Sequence, residues 1–224
     1  MNLDWCGGKF VNFVPMSFFT DEEWGKWFDC LSGESYLVID NYLPEEIYRI
    51  SRNYLISHFE NDDFKKAGIG ASTSHMVKDS VRGDFVYWLS RDKDVEFEQF
   101  FELADELKEK LNRYCYLSLS GYEFHLAHYP PGAHYEKHID EFHGRNNRMI
   151  SVVIYLNEHW KPGDGGELKI YLSDKEIIIE PISRRCVLFI SDKVQHEVLT
   201  TKVSRYSLTG WLQHHPSILG HVMR

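Results

Sequence analysis

What most constrains the fold of this chain is a train of short apolar runs that fills its second half. They fall at residues 122–129, 134–140, 149–157, 167–172, 176–180, 186–191, 194–200 and 205–213, parted by Gly, Pro and Asn/Asp turns such as Gly163-Asp-Gly-Gly166. Each is the length of one strand, and none is long enough to be a self-contained helix. A strand must bury its apolar side against another layer, so eight of them in succession predict two facing antiparallel sheets, a jelly roll. Two helical patterns come first. Pro44 sits in the first turn of one, with Glu45 and Glu46 beside the positive helix end and Ile47, Ile50, Tyr54 and Leu55 at helical spacing. Phe100, Ala104, Leu107, Leu111 and Tyr114 mark the other over residues 95–114. The fold expected is mainly β, with the N-terminal helices on one outer face.

The 224 residues, 43% hydrophobic and 15% aromatic, suffice for one well-buried core, and a single domain is expected over residues 36–224. Residues 1–35 form an aromatic-rich extension containing Trp5, Phe18, Phe19, Trp24 and Trp27. It is too aromatic for a disordered tail, and packing on the core is favoured over contact with a second subunit.

Two residues in this pattern carry chemistry. In an extended strand side chains alternate, so His138 and Asp140 of Tyr135-Glu-Lys-His-Ile-Asp140 point the same way and offer an imidazole and a carboxylate to one point. His196, in the apolar segment 194–199, is the best-placed third ligand. Two histidines and one carboxylate suit Fe(II) and leave positions open for substrate and oxygen. Zinc is less well served, because the chain has neither an HExxH motif nor a cysteine pair at ligand spacing.

Charge and cysteine usage narrow the partners. A net charge of −9 with no long basic run disfavours nucleic acid. Cys6, Cys30, Cys115 and Cys186 are scattered, which fits reduced thiols in a cytoplasmic chain, and no window is apolar for long enough to span a membrane. Residues 61–82, rich in Gly, Ser and Thr, read as a flap over a substrate or as a plain loop. Asp84, entering an apolar strand at Phe85-Val-Tyr-Trp88, needs a cation, for which Arg148 is the candidate. Among the additional histidines, His125, His128, His134, His143, His159, His214 and His215 are expected mostly in loops or at the surface.

Taken in order, Arg82-Gly-Asp-Phe-Val-Tyr-Trp88, Tyr129-Pro, His138-Ile-Asp140, Ile154-Tyr-Leu-Asn157, Gly165-Gly-Glu-Leu and the segment 196–211 give the chain its resemblance. It resembles the Fe(II)- and 2-oxoglutarate-dependent dioxygenases, in particular the prolyl 4-hydroxylases of the oxygen-sensing type and their bacterial relatives. The resemblance implies a double-stranded β-helix of cupin-like form, iron ligands His138, Asp140 and His196, and Arg205 as partner of the far carboxylate of 2-oxoglutarate. It places the hydroxyls of Tyr129 and Tyr155 near that cosubstrate, Thr209 at its carboxylate end and Trp211 as a pocket wall. By themselves the two tyrosines also read as half-buried strand aromatics. Oxygen is the co-substrate and ascorbate the reductant implied. Asp140 argues against halogenation, since related halogenases lack that carboxylate. The turn after Tyr129 departs from relatives, with Pro131 and His134 where Gly is more usual, and the 1–35 extension has no counterpart.

The activity expected is hydroxylation of a proline in a protein or flexible peptide, coupled to conversion of 2-oxoglutarate to succinate and carbon dioxide. By analogy with bacterial relatives the partner is a translation-machinery protein. Hydroxylation of a free amino acid or small metabolite, or a slow oxygen or 2-oxoglutarate sensor, are the alternatives. Nucleic-acid demethylation is disfavoured because Trp211 stands where that branch has a second Arg. Oligomeric state is not legible in the sequence.

Overall fold

The computed structural model describes residues 17–67, 81–140 and 147–214, together with the backbone of residues 5–6 and 9–10. The chain opens with a two-stranded ribbon, β1 (Trp5–Cys6) and β2 (Lys9–Phe10). Helix α1 (Asp21–Glu34) begins at a capping box: the Thr20 hydroxyl accepts the Glu23 N–H, and the Glu23 carboxylate accepts the Thr20 N–H at 2.8 Å. Trp24, Phe28 and Leu31 form its buried stripe, and the Trp24 indole donates to Glu106 at 2.9 Å. The described part of the extension therefore packs into the core, as its aromatic content predicts.

After β3 (Tyr36–Ile39), Pro44 is the extended N-cap of α2 (Glu45–Glu60), one residue ahead of the first turn. The short strands β4 (Lys65–Lys66) and β5 (Phe85–Trp88) follow. A 3-10 turn at Val95–Phe97 leads into α3 (Glu98–Cys115), which starts three residues later than its apolar spacing suggests. Asp94 accounts for this by tying the preceding turn: its carboxylate accepts the Ser90 N–H and the hydroxyls of Tyr54 and Tyr87. Among the described residues no helix is long and apolar enough to cross a membrane.

All eight apolar runs contain strands: β6 (Gly121–Tyr129), β7 (Tyr135–His138), β8 (Arg148–Tyr155), β9 (Leu168–Tyr171), β10 (Glu176–Ile179), β11 (Cys186–Ile190), β12 (Gln195–Val198) and β13 (Arg205–Gln213). They form a four-stranded sheet, β10-β9-β12-β7, and a seven-stranded sheet, β3-β11-β8-β13-β6-β5-β4, with every pairing antiparallel. One core layer joins the helices to the outer side of the larger sheet through Trp24, Leu55, Phe100, Leu107, Leu126 and Leu208. The other fills the space between the sheets with Tyr129, Tyr155, Ile170, Val187 and Phe189. The period of two sorts β13 between them: Leu208 and Leu212 join the helices, whereas Arg205, Ser207, Thr209 and Trp211 take the opposite face. This phase decides which residues reach the barrel interior.

The segment leading into β5 crosses between the sheets. The Gly83 N–H donates to the His134 carbonyl at 3.1 Å and the Glu136 N–H to Val81 at 2.9 Å, so residues 81–83 pair beside β7. Residues 85–88 then pair with β6. Asp84 is fully buried, and its cation is Arg82 rather than Arg148: the Arg82 guanidinium donates from Nε and Nη2 at 2.7 and 2.5 Å. In extended backbone residues i and i+2 share a face, which gives the near arginine the advantage over a distant one. Arg148 instead donates to Glu123, at 2.9 and 2.6 Å.

Two further expectations change. Residues 65–66 are strand, paired with Phe85 and Val86, so the loop read over 61–82 is interrupted there; residues 68–80, the bulk of the expected flap, lie outside the described residues. His125 and His128 are buried in β6 at 4% exposure each, not in loops, because the strand turns one toward the barrel and the other toward Tyr206 and Phe59. His159 is exposed, His134 and His214 are half-buried, and His143 and His215 lie outside the described residues. Of the cysteines whose side chains are described, all free, Cys186 is buried, Cys115 half-buried and Cys30 exposed.

Candidate metal and cosubstrate site

Strand pairing brings the three expected ligands together. His138 ends β7, His196 lies directly across from it in β12, and Asp140 follows His138 by two residues. Their ligand atoms all lie within 4.8 Å of one another. The Asp140 carboxylate has Oδ1 3.4 Å from His138 Nε2 and Oδ2 3.7 Å from His196 Nε2.

Backbone carbonyls orient both rings. His138 Nδ1 donates to the Glu136 carbonyl at 2.7 Å and His196 Nδ1 to Val194 at 3.1 Å. A carbonyl only accepts, so each Nδ1 carries the proton and each Nε2 keeps a lone pair for the cluster. Burial pushes the His196 ring down to about 4, leaving it neutral. Burial also pushes the Asp140 carboxyl up, but the two imidazoles and the Ser151 hydroxyl outweigh it and hold the group well below the usual carboxylate range. Two imidazoles and one carboxylate aimed at one point fit a divalent iron ion with positions to spare.

A second charged site lies deeper. Arg205, 2% exposed, donates from Nε to the Gly166 carbonyl at 2.8 Å and from Nη1 to the Ser207 hydroxyl at 3.3 Å. Its guanidinium carbon lies 4.8 Å from the Tyr129 ring centre and 5.2 Å from that of Tyr155. No ion pair joins it to a carboxylate among the described residues. A buried guanidinium of this kind calls for an anion, and its free edge suits a carboxylate. The buried Tyr155 hydroxyl makes no hydrogen bond of ordinary geometry, and burial pushes it up to about 12 despite the opposing pull of Arg205. Burial and the Asp84 carboxylate likewise raise Tyr129. Thr209 lies 3.1 Å from Ser207, its hydroxyl one step beyond the arginine.

Gly166 makes this placement possible. Its φ is +77°, and a Cβ there would sit 2.9 Å from Arg205 Cδ; a side chain would both strain the backbone and displace the arginine.

Aromatic side chains form the mouth. The Trp211 ring lies under Arg148, with the guanidinium carbon 3.5 Å from its centre, and next to Trp88, 51% exposed. Tyr135 stacks 3.7 Å from His138, with Arg82 4.4 Å from the same tyrosine ring. Two open surface basins of about 710 and 430 Å³ lie elsewhere, and neither touches the three ligands.

The comparisons with known proteins agree with this geometry. A sequence model of the 2OG-Fe(II) oxygenase superfamily matches residues 124–213. A crystal structure of a Pseudomonas putida prolyl-4-hydroxylase is 32% identical, with a TM-score of 0.78 over 86% of this chain and 99% of that one. The chain belongs to the 2OG-Fe(II) oxygenase superfamily. It is an oxygenase of the prolyl hydroxylase type, and as such uses Fe(II), 2-oxoglutarate and oxygen. A Trichoplax adhaerens prolyl hydroxylase in complex with a hypoxia inducible factor peptide is 25% identical, with a TM-score of 0.77 over 86% of this chain and 89% of that one. A Phytophthora capsici prolyl 4-hydroxylase is 27% identical, with a TM-score of 0.71 over 92% and 70%.

Sequence reasoning missed several residues of this oxygenase's site. Ser151, inside the apolar run Met149-Ile-Ser-Val-Val-Ile-Tyr155, donates to Asp140 at 2.7 Å. His125 faces Trp88 and Trp211 from inside the barrel. Both carried a signal, a polar residue in the middle of a buried strand, which requires a buried partner or a ligand.

Proposed function

We propose that this oxygenase hydroxylates a prolyl residue in a protein or flexible peptide. The iron ligands are His138, Asp140 and His196, and Arg205, with Tyr129, Tyr155 and Thr209 around it, anchors the far carboxylate of 2-oxoglutarate. Trp211 walls the pocket. When bound, the iron would supply, with molecular oxygen and 2-oxoglutarate, an oxidant that keeps one oxygen atom as the other enters succinate and carbon dioxide is released. The chain's own residues hold the cosubstrate by its charge, keep the ligand imidazoles in one tautomer and present the substrate from the mouth.

The observation that carries the choice of substrate is the charge pattern at that mouth. Arg82 is neutralised by Asp84 and Arg148 by Glu123, so the described rim offers aromatic faces and self-paired charge. A free amino acid would bring its own carboxylate and ammonium and find no unpaired partner for either there, whereas an uncharged pyrrolidine ring in a peptide needs only apolar, aromatic walls. The peptide in the Trichoplax complex lends support by analogy.

Ascorbate as reductant and a cytoplasmic location with reduced thiols belong to the same reading. So does the division into an extension, 1–35, and an oxygenase domain, 36–224.

The test has two stages. Under anaerobic conditions, Fe(II) and 2-oxoglutarate together should give a visible charge-transfer band that Asp140→Ala loses. Proline-containing peptides should then gain one oxygen atom, located on proline by fragmentation mass spectrometry. A band with no peptide product, but with oxidation of free proline or another small molecule, would refute the peptide reading and leave the metal site standing.

A further inference from the structure

Asp140 does not reach the cluster unaided. Its Oδ2 accepts the Ser151 hydroxyl at 2.7 Å, and Ser151 Oγ lies 2.9 Å from Ser191 Oγ. The three groups are buried, at 9%, 1% and 0% exposure for Asp140, Ser151 and Ser191. Ser151 comes from β8, where it pairs with Phe189 and Trp211, and Ser191 follows the end of β11, its N–H donating to the Met149 carbonyl at 3.1 Å. Both hydroxyls thus stand on the rigid larger sheet, while Asp140 lies just past the end of β7 of the smaller one. The aspartate is the one residue of the three outside a strand.

The direction of this relay is fixed by proton counting. An ionised carboxylate only accepts, so Ser151 spends its one proton on Asp140. Ser151 oxygen then accepts from Ser191. As a result the two oxygens of Asp140 are unequal: each faces an imidazole, Oδ1 that of His138 at 3.4 Å and Oδ2 that of His196 at 3.7 Å, but among the described residues the hydroxyl hydrogen bond falls on Oδ2.

We infer that Ser151, backed by Ser191, is a positioning residue that holds Asp140 to one-oxygen donation at the metal. The inference rests on the ligand assignment above and on no choice of substrate. An octahedral ion with three protein ligands has three positions left; a chelating keto acid takes two, and oxygen needs the last. A carboxylate that swung to give both oxygens would occupy that last position. Ser151 opposes the swing by competing for Oδ2, and a hydrogen-bonded ligand of this kind typically affects metal affinity by 10- to 100-fold.

The experiment titrates metal-free protein with Co(II) alone, without 2-oxoglutarate, for the wild type, Ser151→Ala, Ser151→Thr and Ser191→Ala. Calorimetry reads the affinity, and the visible bands of the Co(II)-loaded protein read coordination number and geometry. Ser151→Ala should bind Co(II) about 10- to 100-fold more weakly with altered bands, Ser151→Thr should keep both near wild type, and Ser191→Ala should lose less than Ser151→Ala. Thermal melts of the metal-free variants separate this from a folding defect, which would not restore with threonine. Wild-type affinity and bands in Ser151→Ala overturn the inference alone. A wild type that takes up no Co(II) overturns the ligand assignment together with it. Should Ser151→Ala fail to fold, Ser191→Ala decides: weakened binding supports the relay, and unchanged binding refutes it.

Discussion

Replacing Arg205 by Met separates the two jobs that residue performs. In the metal-free protein its guanidinium is a buried charge with no carboxylate partner, held by a backbone carbonyl and a hydroxyl. Removing such a charge in favour of an apolar side chain of similar length recovers desolvation energy, while leaving the Gly166 carbonyl without its donor costs about 1–3 kcal/mol; the Ser207 hydroxyl keeps Thr209 at 3.1 Å. These oppose, so the melting temperature without cosubstrate should change little. The cosubstrate response should change greatly. A hydrogen bond between charged partners contributes about 1.5–3 kcal/mol, or roughly 10- to 150-fold in 2-oxoglutarate affinity. At a concentration one hundred times the wild-type dissociation constant, 2-oxoglutarate stabilises the native protein by about 2.7 kcal/mol; a hundredfold weaker site would leave about 0.4 kcal/mol. The assay is a thermal melt under anaerobic Fe(II), with and without 2-oxoglutarate. Arg205→Met should melt near wild type without cosubstrate and respond weakly to it. A full wild-type response would refute Arg205 as the anchor, and collapse of the protein without cosubstrate would show that the arginine is structural.

Three other substitutions probe the surroundings. Asp84→Asn leaves the Arg82 guanidinium without its anion in a largely buried position, at a cost of about 3 kcal/mol, the lower end for a broken interior pair; urea denaturation should show this loss, and an unchanged midpoint would argue against the pairing. Gly166→Ala should weaken 2-oxoglutarate binding without altering any charge, because its Cβ meets Arg205 Cδ; calorimetric titration checks this, with wild-type affinity as the contrary result. Burial first, and then Arg82 and Arg148, push the His125 ring down to about 3, with Asp84 and Asp140 opposing. Below pH 6.5 the unfolded chain takes up a proton that the folded ring refuses until about pH 3, so this ring makes stability fall as pH falls through that window. His125→Met should flatten that slope and, by removing the unpartnered Nδ1, keep or raise stability at neutral pH; an unaltered slope in denaturation midpoints between pH 4 and 7 would count against it.

Residues that obey one period were legible from sequence. The eight strands follow from short apolar runs parted by turn residues, the His138–Asp140 pair from alternation, and His196 from its place in another apolar run. Longer-range pairing was not. Asp84 needs a cation by the rule of buried charge, but the rule does not say which, and its neighbour Arg82 prevails over Arg148. Helix α1 was concealed because its buried stripe, Trp24, Phe28 and Leu31, is interleaved with Gly25 and Gly33; Thr20 and Glu23 were the signal for its start. His125 and His128 were expected, with the other histidines, mostly in loops or at the surface, although the apolar run 122–129 contains both; histidine is a poor guide to burial. Ser151 shows the opposite limit, since a hydroxyl among valines and isoleucines marks a buried partner without naming it.

The pairing of residues 81–83 beside β7 also bears on what this protein can assemble with. A strand at the margin of a sheet presents a row of unpaired amide and carbonyl groups, a template onto which another chain can grow. The strand carrying His138 would be such a margin, but Val81, Arg82 and Gly83 already occupy it. Strand addition along residues 134–136 is thereby blocked. At the opposite margin of the same sheet lies β10, where Ile178 is 60% exposed and Lys169 pairs with Glu176 across the neighbouring strand. Among the described residues, the smaller sheet therefore has one margin covered beside residues 134–136, near the histidine and aspartate cluster, and one open margin, where charge and a short strand are the guard against polymerisation.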